Sequence, residues 1–273
     1  MTRTIAIAMQ KGGCGKTAVA AQLAWGLSSR GFKTLVVDFD PQSANVTAAL
    51  GAMTSGELPY STHDFLLEPE KPFAPVEIAE RLDLVPANLR FARTEYLVGQ
   101  HSNSWGPVTV AKAFRRLGES QRNYDFILCD CPPSFSAMLA NVLAACDEII
   151  APVSMDQLSV QAVDDLQVVL AELADNPFRP RSPSVTYVPT FFKTNNREST
   201  AAFALAQKLC VRASGRLSEA RIPDATSIAR AAANAAPIWH KAYNDSPAAQ
   251  EAFYRLVDEV LAGGQAAATA TSA

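Results

Sequence analysis

Thr4-Ile5-Ala6-Ile7-Ala8-Met9-Gln10-Lys11-Gly12-Gly13-Cys14-Gly15-Lys16-Thr17, followed by a helical run from Ala18, decides the reading of this chain. An apolar strand, a glycine-rich turn, a Lys-Thr pair and a helix are the context that a phosphate-binding loop requires. Backbone N–H groups in such a turn form a nest, and the helix N-terminus adds positive dipole where polyphosphate would lie. Gly12, Gly13 and Gly15 let the backbone approach anionic oxygen without a Cβ in the way. In this reading Lys16 spans the β- and γ-phosphates, the Thr17 hydroxyl ligates Mg²⁺, and Ala18 completes the nucleotide-binding run. The match to G-x-x-x-x-G-K-[ST] is imperfect, because Gln10 stands where the first glycine should fall and Lys11 precedes a Gly-Gly pair.

Outward from this loop the chain alternates short β-branched runs with longer helical stretches. The strands expected are Thr4–Met9, Thr34–Asp38, Leu82–Pro86, Phe126–Asp130, Glu148–Val153 and Ser184–Pro189. The helices expected are Lys16–Ser29, Val108–Gly118, Phe135–Ala145, Ser159–Ala174, Ser199–Val211 and Pro247–Leu261. Near-continuous apolar strands alternating with helices predict an α/β fold, a mostly parallel twisted sheet with helices on both faces. About thirty residues with one helix separate the first two strands, as in a right-handed βαβ unit. Gly51–Pro75, rich in Gly, Pro, Ser and Thr, reads as a surface excursion. Gly263–Ala273 carries no charge and no large apolar residue and reads as a disordered tail, leaving residues 1–262 as one domain.

Composition narrows the class. Of 273 residues, 48% are apolar and 19% charged, which excludes a disordered polyelectrolyte because enough apolar surface exists to offset ordering entropy. No apolar run approaches the roughly 18 residues of a spanning helix. Five cysteines in no regular framework, with no signal-peptide pattern after Met1, read as reduced thiols in a cytoplasmic protein. The net charge of −3 is uneven: the stretch from Arg179 to Arg230 carries nine basic and three acidic residues, hence +6. That stretch is either a polyanion contact or a set of solvated arginines on helix faces.

Two acidic segments fall near the loop. The second strand ends Asp38-Phe39-Asp40-Pro41-Gln42, and residues i and i+2 of an extended segment face one side, so both acids can reach one site. An ordinary strand end followed by a Pro-initiated turn accounts for the same pattern. Phe126-Ile127-Leu128-Cys129-Asp130 has the form of a Walker B strand, whose aspartate helps hold Mg²⁺. Cys129 and Cys131 flank Asp130 without a partner pair and read as packing thiols rather than metal ligands. His63, His101 and His240 lie in unrelated segments and form no ligand set.

Taken together, Lys11-Gly12-Gly13-Cys14-Gly15-Lys16-Thr17, Asp38-Phe39-Asp40-Pro41-Gln42 and Cys129-Asp130-Cys131-Pro132-Pro133 resemble the deviant Walker A, Walker A′ and Walker B motifs of the ParA/MinD family of P-loop ATPases. Ala151-Pro152-Val153 and Pro237-Ile238 are similar to later segments of that family. The resemblance implies a three-layer α/β/α P-loop NTPase fold and an ATPase that takes ATP and Mg²⁺. It implies that Lys11 reaches across a homodimer interface to phosphates bound by the other subunit. It further implies that Asp38 orders the water shell of Mg²⁺, Asp40 orients the attacking water, and Asp130 holds Mg²⁺ through water. Cys14 replaces the valine more usual at its position; its backbone N–H serves the loop equally, and a thiol beside phosphate is open to oxidation.

Within the family, the loop lies close to Met1, so no helix-turn-helix precedes it, and the uncharged end argues against a membrane-binding helix. The expectation is therefore the short ParA type, whose ATP sandwich dimer binds double-stranded DNA without sequence preference and is nucleoid-associated. A ParB-like or cargo-adaptor protein would release it by stimulating hydrolysis, so that it segregates a plasmid or chromosome region or positions a protein organelle such as a carboxysome. Lys193, Arg197, Arg216, Arg221 and Arg230 are the candidate DNA-phosphate contacts. The alternatives are a nucleotide-dependent regulatory switch and a biosynthetic enzyme on the same scaffold.

Overall fold

The computed structural model describes residues 2–42, 45–52, 58–88, 90–91, 93–94, 96, 108–120, 122–174 and 183–270. The strands β1 (Arg3–Ile7), β2 (Thr34–Asp38), β4 (Leu82–Val85), β5 (Phe126–Asp130), β6 (Glu148–Ser154) and β7 (Ser184–Thr190) form the body of one sheet. A hairpin partner, β3 (Val76–Ala79), and a two-residue strand, β8 (Arg216–Leu217), close its two edges. The order is β3-β4-β2-β5-β1-β6-β7-β8. Every pairing is parallel except β3 with β4.

Both faces of this sheet are dry, which explains why its strands read as apolar runs without polar alternation. Ile5, Ile7, Val36 and Leu128 face one core layer. It is covered by α1 (Lys16–Ser29), α2 (Val46–Ala49), α9 (Thr226–Ala233) and α10 (Pro247–Ala270). Ala6, Val37, Ile127 and Cys129 face the other. That side carries α3 (Thr62–Leu67), α4 (Val108–Glu119), α5 (Ala137–Ala145), α6 (Gln157–Val160), α7 (Ala162–Ala174) and α8 (Arg197–Arg212). Packing between α1 and α10 is close at Gly26, where an added Cβ would lie 2.3 Å from Val257 Cγ2.

Strand order places the functional edge. β1 lies between β5 and β6, yet its chain crosses through α1 to β2 on the far side of β5. Open α/β sheets bind ligands at the carboxyl ends of strands where the connections diverge in this way. Register then aligns the acids: Asp130 is level with Ile7 on β1 and with Asp38 on β2.

Several elements differ from the sequence expectation. β3 was not anticipated, because Val76-Glu77-Ile78-Ala79 is a partly exposed edge strand rather than an apolar run. The helix expected over Ser159–Ala174 is divided at Gln161 into α6 and α7. Gly51–Pro75 is only partly a surface excursion: Tyr60, Ser61, Thr62, Asp64, Phe65 and Leu66 are buried, with Ser61 and Asp64 forming a capping box for α3. α10 continues to Ala270, so the expected tail is helical over residues 263–270, and residues 271–273 lie outside the described residues. The alanine-rich composition there explains the extension, since alanine has the highest helix propensity. Among the described residues no helix is long and apolar enough to cross a membrane.

Candidate functional site: the phosphate loop and its acids

The loop between β1 and α1 owes its shape to two glycines in left-handed backbone, Gly13 at φ 72° and Gly15 at φ 93°. Gly15 is the N-cap of α1. The loop is braced from the end of β7, two strands away from β1, where Thr190 Oγ1 donates to the Cys14 carbonyl at 2.8 Å. The Phe191 ring and Thr190 lie 3.7–3.9 Å from the position a Cβ on Gly15 would take. Phe191 itself has φ 52°, an unfavourable conformation for an aromatic residue. Cys14 turns its thiol into the loop, donating to the Lys11 carbonyl at 3.2 Å. Burial pushes that thiol up from its ordinary pKa, against the pull of Lys16. The Cys14 sulfur is buried within the loop, where burial and the raised pKa lower its reactivity toward oxidants.

Lys16 is buried and bends back, its Nζ donating to the Lys11 carbonyl at 2.9 Å. The ammonium is therefore held against the loop's own backbone. Next to it, Thr17 Oγ1 donates to Asp130 Oδ2 at 2.9 Å. The other oxygen, Asp130 Oδ1, is buried with no hydrogen-bond partner among the described residues. Burial raises the Asp130 carboxyl to about 7; the Thr17 bond opposes this, Asp40 adds to it, and Lys16 opposes it. A hydroxyl and a carboxylate with an unused oxygen are hard donors of the kind Mg²⁺ takes, and Mg²⁺ completes its shell with water and substrate phosphates. Thr17 and Asp130 therefore fit that ion.

Asp38 is also fully buried, and its carboxyl is raised well above the usual range by burial and then by the charge of Asp130. Its oxygens are engaged within the chain: Oδ1 accepts from Asp40 N at 2.9 Å, and Oδ2 from Thr47 N at 3.0 Å and Thr47 Oγ1. Asp40 Oδ1 accepts from Gln42 N at 2.9 Å, and Asn45 Nδ2 donates to the Asp40 carbonyl at 2.8 Å. The two acids thus play unequal parts in the local geometry. Asp38 organises the turn that carries Asp40.

Lys11 sits on the other side of the loop, against the end of β6. Its Nζ donates to Ser159 Oγ and lies 3.4 Å from Asp156 Oδ1. Asp156 is the N-cap of α6, accepting from Ser159 N at 2.8 Å. Burial works to raise the Asp156 carboxyl, but the bonds from Ser159 and Ser154 and the charge of Lys11 hold it down at about 2. Asn45, Thr47, Asp156, Ser159 and Thr190 were not singled out from sequence. The available signal was their capping chemistry, Asn or Asp ahead of a short helix, rather than any motif.

Four of the five candidate DNA contacts have partners within the chain. Lys193 pairs with Asp224 at 3.0 Å, Arg216 with Glu259 at 2.8 Å, and Arg230 with Asp245 at 3.6 Å. Arg221 lies over the Phe203 ring at 4.2 Å and over Phe192 at 5.3 Å. Arg197 opens α8 at an exposed position. Arg179 and Arg181, which contribute to the +6 stretch, and His101 lie outside the described residues. All three ion pairs involve exposed cations, a class that contributes little to stability.

Comparison with known proteins places this geometry. A profile of the AAA_31 family, described as "AAA domain", matches residues 2–180. The chain is 32% identical over 169 residues to the sporulation initiation inhibitor protein Soj of Bacillus subtilis (strain 168), covering 61% of this chain. The match spans 64% of the Bacillus protein, under two thirds of its length. Over 263 residues it is 26% identical to the chromosome partitioning protein ParA of Caulobacter vibrioides (strain NA1000 / CB15N), covering 95% and 94% of the two chains. Among solved structures, apo McdA of Cyanothece superposes with TM-score 0.79 at 21% identity, covering 96% of this chain and all of the other. Cobyrinic acid a,c-diamide synthase of Mycobacterium smegmatis, with bound ATP analogue and magnesium, superposes with TM-score 0.76 at 23% identity, covering 96% and 94%. The last two likenesses concern the fold.

Proposed function

Since this chain belongs to the AAA_31 family, in the ParA/MinD group of P-loop ATPases, we propose that it is a partitioning or positioning ATPase acting as an ATP-dependent dimer on DNA. The observation that carries the reading is the grouping at one sheet edge of Lys16, Thr17, an unused Asp130 oxygen and a second loop lysine, Lys11. Backbone N–H groups of Gly12 to Ala18 bind the triphosphate, and Lys16 leaves the Lys11 carbonyl to meet the β- and γ-phosphates. Thr17 and Asp130 would hold Mg²⁺, which when bound would supply positive charge beside the transferring phosphate. Asp40 orients the attacking water.

Lys11 acts in trans. Its ties to Asp156 and Ser159 hold it within its own subunit, and closing the dimer exchanges those ties for the partner's phosphates. A second cation at the transferring group works as an arginine finger does. The name of the Caulobacter relative supports chromosome partitioning as the kind of task, and the cargo is a plasmid, a chromosome region or a protein organelle. A ParB-like or cargo-adaptor protein stimulates hydrolysis and releases the dimer from the nucleoid in the cytoplasm.

DNA contact is assigned to Lys193, Arg197, Arg216, Arg221 and Arg230, of which Arg197 is exposed at the start of α8 and Lys193, Arg216 and Arg230 would exchange their intrachain acids for DNA phosphates. Dimerisation doubles that surface, so binding should require ATP and fall with salt at a slope near −0.9 per neutralised phosphate. Filter binding of two unrelated duplexes, with ADP or ATP over a salt series, tests this. Tight binding with ADP, or preference for one duplex, contradicts it.

A further inference from the structure

We infer that Thr47 is a positioning residue for ATP hydrolysis: its hydroxyl fixes the Asp38-Phe39-Asp40 turn from behind, so that the Asp40 carboxylate faces the attacking water. The inference rests on the role proposed above for Asp40 and adds the side chain that aims it.

The geometry is a closed set of bonds. Thr47 is 3% exposed and occupies the first turn of α2. Its one O–H donates to Asp38 Oδ2, and the same oxygen accepts from Ala87 N at 3.1 Å. With its backbone N–H also on Asp38 Oδ2, the residue grips one carboxylate oxygen twice. The other carboxylate oxygen holds Asp40 N, while Asn45, the N-cap of α2, holds the Asp40 carbonyl. The peptide groups on the two sides of Asp40 are therefore held, one by the Asp38 carboxylate that Thr47 grips and the other by Asn45 at the amino end of α2. From the opposite direction Thr62 Oγ1 donates to the Asp38 carbonyl at 2.7 Å, and Phe39 N donates to the Asp130 carbonyl at 2.9 Å. Thr47 thus links the end of β2 to Ala87, two residues beyond β4, and its hydrogen bonds go to Asp38 and Ala87 rather than to the phosphate loop.

Valine has the shape of threonine without the hydroxyl. Thr47→Val leaves Asp38 Oδ2 with a single donor and Ala87 N without its acceptor, so the turn loses its lateral support. Nothing in the loop that binds phosphate changes. Serine keeps both bonds.

The test compares wild type, Thr47→Val, Thr47→Ser and Asp40→Ala. Steady-state hydrolysis gives kcat and KM, a fluorescent ATP analogue gives affinity, and size-exclusion chromatography with ATP and Mg²⁺ follows the dimer. A lost hydrogen bond to the buried Asp38 carboxyl corresponds to a fall of about tenfold in kcat. The expected result is that fall in Thr47→Val with KM and analogue affinity within about twofold of wild type, since the change is confined to an orienting interaction. The dimer of Thr47→Val should persist longer than that of wild type, approaching Asp40→Ala, and Thr47→Ser should hydrolyse ATP like wild type. Melting curves check folding, and Thr47→Ala provides a second hydroxyl-free variant if the valine protein does not fold. Wild-type kcat in Thr47→Val beside an inactive Asp40→Ala overturns the role of Thr47 alone. Equal damage in Thr47→Ser and Thr47→Val also overturns it. Hydrolysis at the wild-type rate by Asp40→Ala removes the reading of Asp40 and the inference with it.

Discussion

Replacing Asp130 by asparagine should make the protein without nucleotide more stable at neutral pH, and the gain should grow with pH. Burial raises the Asp130 carboxyl from 3.8 to about 7, with Asp40 adding to the effect and Thr17 and Lys16 opposing it. Below pH 3.8 the group is protonated in both folded and unfolded chains and contributes nothing. Between there and about pH 7 the folded chain holds a proton that the unfolded chain has lost, so stability falls as pH rises. Above about 7 both chains are ionised and the fall stops. The full penalty of ionised Asp130 is about 4 kcal/mol, of which roughly 3 kcal/mol develops between pH 5 and pH 8. Asp38 is raised in the same direction, partly by Asp130, so removing the charge at 130 relieves it too. Urea denaturation of wild type and Asp130→Asn at pH 5 and pH 8 measures the difference directly. The variant should gain roughly 2–4 kcal/mol on wild type across that interval. A difference constant to about 0.5 kcal/mol would mean that Asp130 titrates normally and that the buried acid has been misjudged.

Other perturbations separate fold from function. Gly26→Ala places a methyl group where Val257 already stands, at 2.3 Å, and should cost about 1–3 kcal/mol in urea denaturation; a neutral result would show that α1 and α10 have slack between them. Asp156→Ala removes both the cap of α6 and the charged partner of Lys11. It should cost about 1 kcal/mol of stability and make Lys11 more reactive toward an acylating reagent read by mass spectrometry; unchanged labelling would show that the tether does not hold in solution. Arg197→Glu should weaken DNA binding with stability within about 0.5 kcal/mol of wild type, whereas Arg216→Glu should also destabilise the β8 edge by setting a carboxylate against Glu259. Equal stability in the two variants would contradict that distinction.

Much of this arrangement was legible in the chain because its signals are local. The limits of α1, β2 and β5 coincide with the ranges read from apolar runs and the Gly-Lys-Thr punctuation. β3 and β8 escaped notice since one is a partly exposed edge strand and the other has two residues, too few for periodicity to register. The division of the α6–α7 segment depends on a break at a glutamine, a residue with good helix propensity. At the site, residue types indicated which groups gather but not how their bonds are shared. Asp38 and Asp40 look equivalent as an i, i+2 pair, yet the fold turns the first toward Thr47 and uses it as a brace. Likewise Lys193, Arg216 and Arg230 read as free cations until tertiary contacts supply Asp224, Glu259 and Asp245 from 15 to 43 residues away. Such pairings follow from the packing of β7, β8, α9 and α10, which no local pattern encodes.

The proposed function requires an active dimer in which Lys11 serves the partner's phosphates. Specific ATPase activity as a function of protein concentration tests it most directly. Activity per subunit should rise with concentration and then level off for wild type, while Lys11→Ala, still able to bind a fluorescent ATP analogue, should remain low throughout. Specific activity independent of protein concentration, with Lys11→Ala turning over as fast as wild type, would contradict the account.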